Sequence, residues 1–192
     1  MKKAVLFTFV FLAIIACNNN VELNGKKEDA DSISKGKPAL SSITQTVTDT
    51  SKVKAWLTGV IESYLNVDGK DLKVAYNNLR LSLTDSYYNY KQDAINLTYD
   101  GGDTTMTKET FDKKWGTKYD TKFVGDGGFL ISSNDNGKVK VRTCDFIKQP
   151  AQNSYLYKVV IEDLDFKIKY KRDIKVIRQG NNFLIDDIVV YN

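Results

Sequence analysis

Near Gly128 the apolar residues of this chain change rhythm. Upstream, Val53, Trp56, Leu57, Val60, Ile61, Tyr64 and Leu65 recur at spacings of three and four, which places them on one face of a helix. Asp49, Thr50 or Ser51 supplies a cap for its start, and Asp68-Gly69 supplies a stop. A second helical stretch carries Leu72, Tyr76, Leu79 and Leu83. A third follows Thr84-Asp85, and its Tyr87, Tyr88 and Tyr90 sit too close together to share one face. Thr107 caps a short helix with Phe111 and Trp115 one turn apart, and Gly116 ends it. Downstream the pattern alternates. Residues 139–143 follow the turn-forming pair Asn136-Gly137, and residues 155–161, 168–177 and 183–191 are rich in β-formers. Gly180-Asn181 turns the chain into the last of them. Helices first and about four hairpin-linked strands last predict an α+β fold. The N-terminal helices then pack on one face of a curved antiparallel sheet.

The first residues belong to a different kind of segment. Met1-Lys2-Lys3 is cationic, and residues 4–15 are apolar apart from Thr8. That run is too short to span a bilayer, which takes about 20 apolar residues, but it suits the core of an export signal. Its end, Ile14-Ile15-Ala16-Cys17, resembles the lipobox of bacterial lipoproteins. The resemblance implies cleavage before Cys17 and acylation of that residue. Three parts are expected: a lipoprotein signal peptide over 1–16, a lipidated Cys17 with a flexible polar tether over 17–48, and a single α+β domain over 49–192. Asn18 is not the Asp that resembles an inner-membrane retention signal, so the outer membrane is the expected site, with the domain periplasmic or surface-facing.

Lipidation uses one of two cysteines and leaves Cys144 without a disulfide partner, as a small buried hydrophobe on a strand. The formal charge is +4, with Lys2 and Lys3 inside the signal, so the mature chain is near neutral. Nothing in that balance points to nucleic acid. The chain has no His. Ser-His-Asp and Cys-His catalysis are therefore excluded, and the commonest transition-metal ligand is missing. No pattern calls for a cofactor.

The first helix, the Phe111/Trp115 helix, the loop Val124-Gly125-Asp126-Gly127-Gly128-Phe129 and the final hairpin (Tyr170 to Ile174 against Phe183 to Ile188) resemble the nuclear-transport-factor-2-like superfamily. They look most like its bacterial lipoprotein branch of unknown function, the YbjP-like type. The resemblance spans roughly Ser51 to Asn192. It implies a cone of helices and sheet around a pocket that different members use for isomerisation, dehydration, ligand binding or protein docking. Fold alone does not choose among these.

Strand parity then picks a constellation. Ile168, Tyr170, Arg172, Ile174 and Val176 share one face. An even turn at Gly180-Asn181 pairs Ile174 with Asp187 and Val176 with Ile185, so that Arg172 stands opposite Val189 and diagonal to Asp187. A short turn at Leu164-Asp165 sets Tyr157 opposite Arg172. Tyr157, Tyr170, Arg172 and Asp187 are therefore the expected ligand-binding residues: an anion-binding Arg oriented by Asp187, with Tyr157 as donor. The same grouping also reads as a satisfied structural ion pair.

Other motifs carry less. Glu162-Asp163-Leu164-Asp165 reads as a solvated hairpin tip rather than a metal site. The segment 132–143 brushes the calcium-loop pattern, but Ser132 and Thr143 stand where its outer carboxylates belong. Residues 125–128 lack the Lys-Ser/Thr of a phosphate loop, and Asn96-Leu97-Thr98 fits a sequon that a bacterial lipoprotein leaves unused. Trp56 and Trp115 read as core anchors.

Three functions fit. The first is an envelope binding module, membrane-attached through Cys17, for a small ligand or an envelope protein. The second is a lyase- or isomerase-type pocket enzyme with Asp187 as base and Arg172 and Tyr157 as electrostatic partners. The third is an inhibitor or immunity-type lipoprotein that docks a protein on the outer sheet face. A raised pKa at Asp187 favours the second, an exposed apolar sheet patch the third, and a closed apolar pocket the first.

Overall fold

The computed structural model describes residues 40–98, 106–125, 127–132 and 135–191, with backbone alone for 40–48 and 98. The export signal, Cys17 and most of the expected tether lie outside them. Four helices, α1 (Leu40–Leu65), α2 (Leu72–Leu81), α3 (Asp85–Thr98) and α4 (Lys108–Trp115), precede four strands, β1 (Val139–Ala151), β2 (Ser154–Asp163), β3 (Ile168–Gln179) and β4 (Asn182–Val190). The strands form one antiparallel sheet in the order β1-β2-β3-β4, and the helices pack against it. The fold is α+β.

The stripe read on α1 is the buried one. Val53, Leu57, Ile61 and Leu65 recur every four residues and are inaccessible, or nearly so, while Trp56, Val60 and Tyr64 flank them half-buried. Truncating a leucine such as Leu57 costs about 2–5 kcal/mol in such a setting. The helix starts at Leu40, well before the predicted caps. Asp49 therefore sits on the helix body, where it pairs with Arg178 at 3.2 Å. α1 crosses the inner face of the sheet. The Tyr157 hydroxyl donates to the Thr50 carbonyl (2.7 Å), and Trp56 packs on Phe183 with ring centroids 5.7 Å apart.

On α2 the buried row is Ala75 and Leu79, continued by Leu83. Leu72 and Tyr76, predicted on that face, are exposed. A single 3₁₀ turn, Gly69–Asp71, runs straight into α2 and sets its phase, and the small Ala75 is what packs inward. Tyr87 and Tyr90 are buried and Tyr88 is half-buried, as their crowding on α3 requires. The Thr107 hydroxyl caps α4 by accepting from Thr110 N at 3.2 Å, and Phe111 and Trp115 face the core.

Both sheet edges are covered in part. Against β4, Ile185 N donates to Ser82 O (2.8 Å) and Thr84 N donates to Ile185 O (2.9 Å). Against the start of β1, Asn66 accepts from Val139 N (2.7 Å) and donates to Val139 O (2.8 Å), and Glu62 accepts from Val141 N (2.9 Å). Three register shifts and Pro150 interrupt the rest of β1, devices that keep an open edge from pairing. Asn136-Gly137 is not a hairpin turn. Asn136 instead donates to Leu65 O (2.8 Å) at the end of α1, satisfying a carbonyl that the helix leaves free.

Candidate functional site

β2 and β3 pair without interruption, but Asp163 faces Ile168, so the loop between them is Leu164 to Lys167. It is two residues longer than the predicted turn. Two is even, so parity survives and Tyr157 stays on the inner face, fully buried. It stands opposite Ile174, however, and Val159 takes the place opposite Arg172.

The β3–β4 pairing keeps Val176 opposite Ile185 and then shifts register. Asp186 is the extra residue of a bulge, so Lys175 faces Asp187, Ile174 faces Ile188 and Arg172 faces Val190. The expected pairs of Ile174 with Asp187 and of Arg172 with Val189 are corrected accordingly. Beyond the bulge Ile188 and Val190 point inward, and Val189 does not.

Arg172 is 1 % exposed, and among the described residues no carboxylate pairs with it. Its Nε donates to Leu130 O (2.9 Å), Nη1 to Lys171 O (2.7 Å) and Nη2 to Ser132 Oγ (3.4 Å). Its guanidinium lies 5.6 Å from the Tyr170 ring centre. Burial pulls its pKa down, though an Arg stays charged. Of the four expected residues, Tyr170 and Arg172 thus meet. Tyr157 shares their face but spends its hydroxyl on α1, and burial raises its pKa. Asp187 is half-buried; burial lifts its carboxyl to about 6, against a lowering hydrogen bond from Ile188 N–H. The buried Tyr87 feels the charges of both Asp187 and Arg172. Burial also pushes the Cys144 thiol up to about 11, which leaves it a poor nucleophile.

The buried cations have a common role. Lys91, fully buried on α3, donates to Val124 O (2.7 Å) and Gly125 O (3.0 Å), as Arg172 does to Leu130 O. Together they hold the loop that leads from α4 to the sheet. A Lys in the Tyr87, Tyr90, Ala94 row of α3 was the available signal for this.

That loop walls a cleft of about 690 Å³. The end of α1 (Tyr64, Leu65) and the two residues after it (Asn66, Val67) form one side, Gly128 to Ile131 another, and Gly137, Lys138 and Phe166 the rim. The acidic run, expected to be a solvated tip, stitches this rim. Asp163 is fully buried and accepts from Gly137 N (2.8 Å), Asp165 N (3.0 Å) and Phe166 N (3.0 Å). Burial raises its pKa, but these three donors outweigh that and hold the carboxyl below its usual range. Asp165 accepts from Lys138 N at 2.8 Å. Asp163 continues the inward row of Tyr157, Val159 and Ile161, so the alternation of β2 was the signal for its burial, and the flanking acidic residues masked it. Phe166 is 60 % exposed over the mouth.

The cleft lining mixes amides, Tyr64, Asp68 and Lys138 with Leu72, Phe129, Leu130 and Ile131. Among the described residues no three His, Cys, Asp or Glu side chains could hold a metal ion, and no helix is long and apolar enough to cross a membrane. Comparison with family models, with curated proteins and with solved structures gives no match.

Proposed function

We propose that this chain is a lipid-anchored protein of the bacterial cell envelope, attached through Cys17 to the outer membrane. In this reading its domain binds a small ligand or a segment of an envelope protein. The cleft carries the reading: it is large enough for a drug-sized molecule, and its lining sets polar groups such as Asn66, Asp68 and Lys138 beside apolar walls such as Phe129, Leu130 and Ile131. The polar residues of the inner sheet face support it indirectly, because Arg172 and Asp163 hold the cleft walls rather than offering themselves to substrate. We also propose membership of the nuclear-transport-factor-2-like superfamily, supported by helices followed by a four-stranded antiparallel meander.

The test is a thermal-shift screen of small molecules and peptides on the full chain, with each hit retested on Tyr64→Ala and Phe166→Ala. Loss of about tenfold or more in affinity is expected for both variants, since aromatic anchors dominate such sites. Hits that bind both variants as tightly as the wild type refute the cleft.

A second reading, a pocket enzyme with Asp187 as general base, is favoured by the raised Asp187 carboxyl. Against it, Asp187 lines neither the cleft nor the groove between α1 and α2, and Arg172 is engaged elsewhere. Among the described residues, the outer sheet face intersperses Lys158, Lys169 and Lys171, Asp173 and Glu162 with half-buried aliphatics, a mixed surface that does not favour the protein-docking alternative.

A further inference from the structure

A second opening lies on the other side of the buried Lys91. The end of α3, the start of α4 and the loop Thr121 to Gly125 border an open pocket of about 540 Å³. Its walls are Leu97, Met106, Phe111 and Val124, all packed on the core. Phe111 is 1 % exposed, so its ring forms a fixed wall. The loop wall is fixed as well, because Lys91 Nζ grips the carbonyls of Val124 and Gly125 from beneath.

The mouth is cationic. Lys108 is engaged by Asp112 one turn on, and the Thr107 hydroxyl is spent capping α4. Lys122 is exposed and forms no ion pair among the described residues. A largely apolar pocket bordered by a lysine that no described carboxylate engages is complementary to a molecule with an aliphatic body and one anionic head. Water leaves the apolar walls as the body enters, while the carboxylate stays at the solvent boundary, where a cation attracts it without full desolvation of either charge.

We propose that this pocket binds an aliphatic carboxylate, with its chain against Leu97, Met106 and Val124 and its head at Lys122. The site is separate from the cleft and does not rest on the reading of it.

The experiment is isothermal titration calorimetry of the full chain with octanoate, decanoate and 1-decanol, each below its aggregation concentration. Decanoate should bind roughly tenfold tighter than octanoate, as expected for two further buried methylenes. Lys122→Glu should weaken decanoate several-fold and leave decanol unchanged. This position is exposed, so the variant folds. Met106→Glu should abolish the binding of both. Phe166→Ala, on the cleft rim, should change neither. Absence of decanoate binding at millimolar concentration overturns the proposal. So does equal binding by wild type, Lys122→Glu and Met106→Glu. Loss of binding in Phe166→Ala with retention in Met106→Glu overturns it too, by moving the carboxylate to the cleft.

Discussion

Asp187 brings a carboxyl into the titration range of near-neutral solution. Burial is the main cause, and the folded value of about 6 lies above the roughly 3.9 of an unfolded Asp. A carboxyl raised in the fold favours the folded state while it is protonated. Its contribution is complete below about pH 4 and disappears as pH rises through about 6. Two units correspond to about 2–3 kcal/mol, and residual water contact reduces the expected effect to roughly 1–2 kcal/mol. Asp163 and Asp112 act in the opposite sense, since their lowered values make them lose stabilising charge as pH falls below about 4. Maximum stability should therefore lie on the acid side of neutral. Urea unfolding of Asp187→Asn should give a flatter profile than wild type between about pH 4 and 7.5, with a gain of about 1–2 kcal/mol at the upper end and little at the lower. Parallel profiles would show that the carboxyl is solvated. At this scale parity identified Arg172 and Tyr157 as inward-facing, but their partners could not be read. One extra residue at Asp186 and two extra residues after Asp163 reassign every neighbour without altering a single local preference.

Elements were legible in proportion to how much apolar surface marks them. α1 carries a four-residue stripe, and the last three strands alternate over most of their length, with β4 broken only at its bulge, so both kinds of element follow from their spacing. α2 is short, and of its expected row Leu79 and Leu83 are buried while Leu72 and Tyr76 are not, because the small Ala75 takes the inward place in its first turns. The covering of β1 has no signature at all. Asn66 is a polar residue just past a helix end, yet it replaces a missing strand by accepting from Val139 N and donating to Val139 O. Asn66→Ala removes both bonds from a partly exposed site and should cost about 1–2 kcal/mol. Glu62→Gln keeps an acceptor for Val141 N and should cost under about 1 kcal/mol. Hydrogen exchange by mass spectrometry should show faster exchange at the start of β1 in Asn66→Ala, with β2 and β3 protected as before. Unchanged exchange there would mean that water satisfies the edge equally well.

At the scale of the whole molecule, the change of rhythm near Gly128 is the boundary between the helical layer and the sheet, so the architecture was legible before any contact was known. The described domain contains no membrane-crossing helix, and its free cysteine is buried at Cys144. The attachment proposed above is through a segment outside the described residues. The segment that offers it is the cationic start, the apolar run and Ile14-Ile15-Ala16-Cys17. Acylation at Cys17 with more than one chain gives a durable anchor, because each buried methylene contributes about 0.8 kcal/mol and a single chain holds only marginally. Expressed in a bacterial host with labelled palmitate, the wild-type chain should incorporate label, shorten by its signal and enter the detergent phase on phase separation. Cys17→Ala should remain at precursor length and unlabelled, while its domain, whose described core residues begin at Val53, keeps the wild-type unfolding midpoint. A Cys17→Ala chain that is still shortened and unlabelled would identify an ordinary secretory signal. The envelope location would then survive, but the anchor would not.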